Sequence, residues 1–111
     1  MEVKDYQKFV KDGASEEYTK QLAFIGLMGE VGELADVIKK EAIYPDMSKF
    51  IERYGVGIEE KIVDEAGDVL WQFINLLNMY NLDFDEIMKY NYNKLTMRHE
   101  GIKVSKDGGK R

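Results

Sequence analysis

Apolar residues along this chain recur three and four positions apart, and no stretch alternates apolar with polar as a half-buried strand requires. The spacing predicts helices. A first covers about residues 2–11, with Val3, Tyr6 and Val10 on one stripe. "KDGAS" ends it, Gly13 serving as the stop and Ser15 as N-cap of the next. The second runs from about 16 to 41, with Leu22, Ile25, Leu34 and Ile38 among its apolar positions. It halts before Pro45, because the residue preceding a proline disfavours helical geometry. Residues 42–57 form a connection in which "DMSKFIERYG" reads as a short helix closed by Gly55. A third long helix covers about 58–80. In "NLDFDE", Asp83 and Glu86 resemble a capping box that opens a fourth at about 84, running to about His99. The fold class that follows is all-α: a four-helix-bundle-type core of antiparallel helices with a short extra helix in the connection. Residues 1–100 form a single domain and 101–111 a flexible polar tail.

Composition narrows what such a bundle can be. At 111 residues there is one domain, and 44% hydrophobic residues can build a core. A domain this small buries a modest share of its surface, so self-association would help. The formal net charge of −5 argues against a nucleic-acid-binding module and leaves room for a cation. With no cysteine and His99 the only histidine, disulfides, thiolate sites and His-rich metal sites are excluded. "MEVKDYQKFV" is charged from its second residue and does not read as a signal peptide, and no apolar run reaches membrane-spanning length. A cytoplasmic protein is the expectation.

The second helix contains "GLMGEVGELAD" and the third "DEAGDVLW". Glu30 and Glu33 stand three apart, as do Glu65 and Asp68, so each pair leaves one helix face a turn apart. Acidic pairs at this spacing are ordinary on solvated faces. Here the flanking residues are apolar, where unpaired charges are costly. Two long helices joined by the 31 residues between Glu33 and Glu65 pack antiparallel, and the two pairs can then face one groove. Converging carboxylates repel, and a divalent cation resolves the repulsion. All-oxygen ligation points to Mg²⁺, with Mn²⁺ as a substitute, and to phosphate chemistry. Asp64, next to Glu65, points about 100° away, and Asp36 sits beside Glu33's side of the helix. Gly26, Gly29 and Gly32, like Gly67, leave strips without side chains, suited either to close helix packing or to ligand approach.

A polyphosphate also needs protein cations. "NYNKLTMRH" places Lys94 and Arg98 four apart on one face, with Asn91 three before Lys94. Lysine and arginine are equally favoured near helix C-termini by the dipole, and Lys39 and Lys40 share that ambiguity. Trp71 and the tyrosines can stack on a base, while Phe73 reads as core. His99 has no partner placed to make it a general base and reads as a surface residue.

These segments, "GLMGEVGELADVIKK", "DEAGDVLWQFINLL" and "NYNKLTMR", resemble the MazG-like nucleotide pyrophosphohydrolases over roughly residues 20–100. The resemblance implies an all-α, Mg²⁺-dependent enzyme that cleaves nucleoside triphosphates between the α and β phosphates, giving the monophosphate and pyrophosphate. By motif position Glu30, Glu33, Glu65 and Asp68 would be the metal ligands and catalytic residues, and Asn91, Lys94 and Arg98 the substrate-side positions. It further implies a homodimer or homotetramer, with sites that draw on more than one chain. The connection is longer than in many members.

Three other readings compete. A di-iron carboxylate bundle would need Glu-x-x-His motifs, which neither acidic pair supplies. A non-catalytic helical regulatory dimer could keep the fold without turnover. A hydrolase of a phosphoribosyl-nucleotide intermediate could use the same fold and the same carboxylates.

Overall fold

The computed structural model describes residues 1–101, with side chains through residue 98. The described residues form five helices and no strand: α1 (Val3–Gly13), α2 (Lys20–Ile43), α3 (Ser48–Tyr54), α4 (Ile58–Met79) and α5 (Phe84–Gly101). The expected tail, apart from Gly101, lies outside the described residues, as does the side chain of His99.

Local chemistry sets most of the boundaries. α1 ends at Gly13, but Ser15 does not open α2. Its hydroxyl accepts from the Glu17 N–H at 3.1 Å within a turn, and Thr19 caps α2 by accepting from Leu22 N–H at 3.1 Å. α2 stops at Ile43, with Tyr44 extended before Pro45. Gly55, at φ 76°, closes α3 in the left-handed region that glycine adopts without strain. α4 ends in a Schellman turn. Leu82 N–H reaches Leu77 O at 2.9 Å and Asn81 N–H reaches Asn78 O at 3.0 Å, with Asn81 at φ 55°. At the start of α5 the Asp83 carboxylate accepts from Asp85 N–H at 3.1 Å.

The dominant packing is α2 against α4, with α1 lying on α4 and α5. α2 and α4 are antiparallel: Gly26 faces Gln72, while Glu30, further along α2, meets Asp68 and Glu65, earlier on α4. The buried positions of α2 are Ala23, Leu27 and Val37. Leu22, Ile25 and Ile38, apolar as they are, stay exposed, Ile25 at 64%. α2 is apolar nearly all round, so periodicity alone singles out no face, and contact with α4 makes the choice. A second cluster joins Val10, Ile74 and Leu77, with Tyr6, Trp71, Phe73 and Phe84 packed against it. Phe73 and Trp71 are thus core-facing.

Gln7 ties α1 to the α4–α5 turn. Its side-chain amide donates to Asn78 Oδ1 at 2.9 Å and to Leu82 O at 2.8 Å, and accepts from Phe84 N–H at 3.3 Å. Asn78 returns a bond to Gln7 O at 3.0 Å.

Candidate metal centre

Ala23, Leu27, Glu30, Leu34 and Val37 follow one another by four, three, four and three along α2. That is the line laid against α4, and Glu30 occupies its middle. On α4, Glu65, Asp68, Gln72 and Asn75 make the opposing line at three, four and three. A stripe selected for stability alone would be apolar. Instead Asn75 is 2% exposed, and neither its Nδ2 nor the buried Gln72 Oε1 has a hydrogen-bond partner among the described residues. Each buried unsatisfied polar group costs about 1–3 kcal/mol.

Where the two lines meet, Glu30, Glu65 and Asp68 each offer a carboxylate oxygen, and the three oxygens lie within 4.8 Å of one another. Glu30 and Glu65 are half-buried and Asp68 is exposed, so the group opens to solvent on one side. Burial, followed by the charges of Asp68, Glu65 and Glu33, pushes the Glu30 carboxyl above its ordinary range. A hard divalent cation fits this donor set. Its protein ligands would all be carboxylate oxygens, with water completing its coordination, and it would offset the mutual repulsion that adds to burial in raising Glu30.

The structure thus brings together three of the four expected carboxylates. Glu33 is exposed and lies outside the close group, although its charge still acts on Glu30. Asp36 pairs with Lys40, and Asp64 with Lys61 at 3.5 Å, so neither joins the cluster. Lys39 is exposed. Asn91 is exposed, and Lys94 and Arg98 are half-buried on α5. Asn91 and Lys94 line a groove of about 340 Å³ beside Leu82, Glu86 and Tyr90, which none of the carboxylates of the cluster touches. A cleft of about 590 Å³ between α1 and the α4–α5 turn, lined by Lys4, Gln7, Lys8 and Asn81, is likewise separate from them.

Lys61 is the residue that sequence reasoning passed over. Its ammonium lies 3.3 Å from Glu65 Oε1, and this hydrogen bond holds the Lys61 pKa above its ordinary value. The signal was present: Lys61 stands four residues before Glu65 and three before Asp64, in register for both. Of the glycines, Gly26 makes room for a neighbour, since a methyl there would stand 2.9 Å from Gln72 Oε1. Among the described residues, Gly29, Gly32 and Gly67 have nothing within 4 Å of the same position.

Among the described residues no helix is long and apolar enough to cross a membrane. No solved structure gives a significant match to the chain. An uncharacterized protein, YvdC of Bacillus subtilis (strain 168), is 30% identical over 104 residues, covering 90% of this chain and 98% of its own. The Gene 37 protein of Mycobacterium phage L5 is 30% identical over 87 residues, covering 78% and 72%. The family model for the MazG nucleotide pyrophosphohydrolase domain matches residues 18–102, which span both carboxylate pairs and α5, and the chain belongs to that family.

Proposed function

We propose that the protein is a Mg²⁺-dependent nucleoside triphosphate pyrophosphohydrolase, releasing the nucleoside monophosphate and pyrophosphate. The observation that carries this is the convergence of Glu30, Glu65 and Asp68 from two antiparallel helices within 4.8 Å, in a chain of this family. Glu30, Glu65 and Asp68 would hold the metal, with Glu33 completing the set from the rim, and Mn²⁺ would substitute. The ion would neutralise charge on the phosphate oxygens and favour attack by water at phosphorus. The chain's own contribution is to keep the carboxylates in place before the substrate arrives, two of them, Glu30 and Glu65, half-buried between the helices. Asn91, Lys94 and Arg98 are the substrate-side residues. Because α5 packs chiefly on α1, they would serve a carboxylate cluster through assembly of more than one chain.

Self-association is part of this reading. Leu22, Phe24, Ile25, Met28 and Val31 are exposed on α2, and Met88, Tyr90 and Met97 on α5. A homodimer or homotetramer would cover apolar surface that water otherwise meets.

The test is a panel of canonical and modified nucleoside triphosphates with Mg²⁺, scored for monophosphate plus pyrophosphate. Stoichiometric release of the two from at least one nucleotide supports the assignment. Release of inorganic phosphate alone, or no turnover with Mg²⁺ or Mn²⁺, overturns it.

A further inference from the structure

The carboxylate cluster has a cationic neighbour of unusual construction. Tyr54, the last residue of α3, packs at 4.6 Å between ring centroids on Phe50, which is fully buried. Three cations surround the Tyr54 ring: Lys40 Nζ at 5.4 Å from α2, Arg53 Cζ at 5.4 Å from α3 and Lys61 Nζ at 5.6 Å from α4. Each lies within the range of a cation–π contact. Lys61 bridges this group to the site, since its ammonium is 3.3 Å from Glu65 Oε1. Both members of that pair are largely covered, the Lys61 side chain being 24% exposed and that of Glu65 13%.

A fixed counter-ion on a metal ligand presents a conflict. Without metal, Lys61 offsets the repulsion among Glu30, Glu65 and Asp68 and holds the Glu65 side chain in place. With a divalent cation on Glu65, the ammonium competes for the same carboxylate and repels the ion. A second anion beside the metal would relieve this, and the polyphosphate of a nucleotide brings one. Lys61, which also has Asp64 at 3.5 Å, then has a phosphate in place of Glu65, next to Arg53 and to Lys40, the latter paired with Asp36, on the same ring. Arginine and lysine are suited to that role, the guanidinium as a planar fork and the ammonium as a point charge.

We propose that Lys61 is an exchangeable counter-ion, bound to Glu65 in the metal-free protein and transferred to the phosphate of a bound metal–polyphosphate, with Lys40, Arg53 and Tyr54 forming its seat. This rests on Glu30, Glu65 and Asp68 being the metal site. Its consequence is that metal alone binds weakly and metal with polyphosphate binds tightly, so the site loads the two together.

The test is Lys61→Met, which keeps the side chain's length and removes its charge, with Lys61→Arg as the conservative control. Calorimetric titration of the full chain is run with two probes, Mn²⁺ alone and the preformed Mn²⁺–imidodiphosphate complex, a non-hydrolysable mimic of two phosphates. Lys61→Met is expected to bind Mn²⁺ alone about threefold more tightly than wild type, since a repelling cation is gone. The same variant is expected to bind the complex about tenfold more weakly, since a charge-assisted contact is gone. Lys61→Arg should follow wild type in both. The reversal of sign is what a merely structural role would not produce. Should Lys61→Met fail to fold by circular dichroism, Tyr54→Leu replaces it. That variant keeps the charge but loses its seat, and should weaken binding of the complex while leaving Mn²⁺ alone unchanged. A shift in the same direction with both probes, or no shift with either, overturns the counter-ion role and leaves the metal site standing. Wild-type protein that takes up neither probe overturns the metal-site reading, and this proposal with it.

Discussion

Glu30 differs from the carboxylates around it in having water taken away without a cation being supplied. Glu65 has Lys61, Asp36 has Lys40 and Asp64 has Lys61, while Glu30 faces Asp68 and Glu65. Its carboxyl is raised above the ordinary value of 4.5, burial first and the acidic neighbours next. The native state therefore holds a proton at Glu30 more firmly than the unfolded chain does. Without metal, this group's contribution to stability falls as pH rises from its unfolded value through its raised folded value. Glu30→Gln should accordingly melt higher than wild type at neutral pH without metal, and the gap should close as pH falls below 4.5. Added Mg²⁺ should stabilise wild type and not the variant. Thermal melts across that pH range, with and without Mg²⁺, check both statements. The ligands also divide by position. Glu65→Gln or Asp68→Asn should reduce pyrophosphate release by about 100-fold or more while circular dichroism stays helical. Glu33→Gln, outside the close group, should cost about tenfold, nearer the effect of an outer-sphere change. Full activity of Glu65→Gln or Asp68→Asn would defeat the assignment.

At the scale of a helix, α2 carries a conflict between propensity and sequence. Each interior glycine costs about 1 kcal/mol relative to alanine. Gly26 has a neighbour that accounts for it, because the Gln72 amide occupies the space beside it. Among the described residues nothing lies within 4 Å of where a methyl on Gly29 would stand. Gly29→Ala is thus expected to raise stability by about 1 kcal/mol in urea unfolding. Gly26→Ala should fall short of that gain, since the amide must move first. The boundaries of α2 and α3 could be read locally where a residue type forces them, as Pro45 and Gly55 do. The start of α2 could not, because Ser15 and Thr19 are both competent caps. Nothing in either residue tells which carries the helix; the turn at residues 15–18, closed by Tyr18 N–H to Ser15 O at 3.2 Å, passes the role to Thr19.

At the scale of the molecule, the apolar residues left outside set the expectation. Phe24 and Ile25 are more than half exposed on the same helix that holds Glu30. Protein in solution should therefore have a mass that is a multiple of 12.9 kDa. Ile25→Asp should shift it towards the single chain, as read by light scattering after gel filtration. Pyrophosphate release should fall with assembly if Asn91, Lys94 and Arg98 act across chains. A wild-type protein that is monomeric and fully active would refute this arrangement.

The helices, the spacing that puts each acidic pair on one face, and the motifs that carry the family are all legible along the chain. All of these are local: a turn of helix relates residues three or four apart whatever surrounds them. Tertiary structure decided which face of an all-round apolar α2 meets α4, and hence that Glu30 rather than Glu33 closes on Glu65 and Asp68. Those outcomes depend on the offset and rotation of two antiparallel helices, which the packing of Ala23, Leu27 and Val37 against α4 fixes and no spacing along the chain contains.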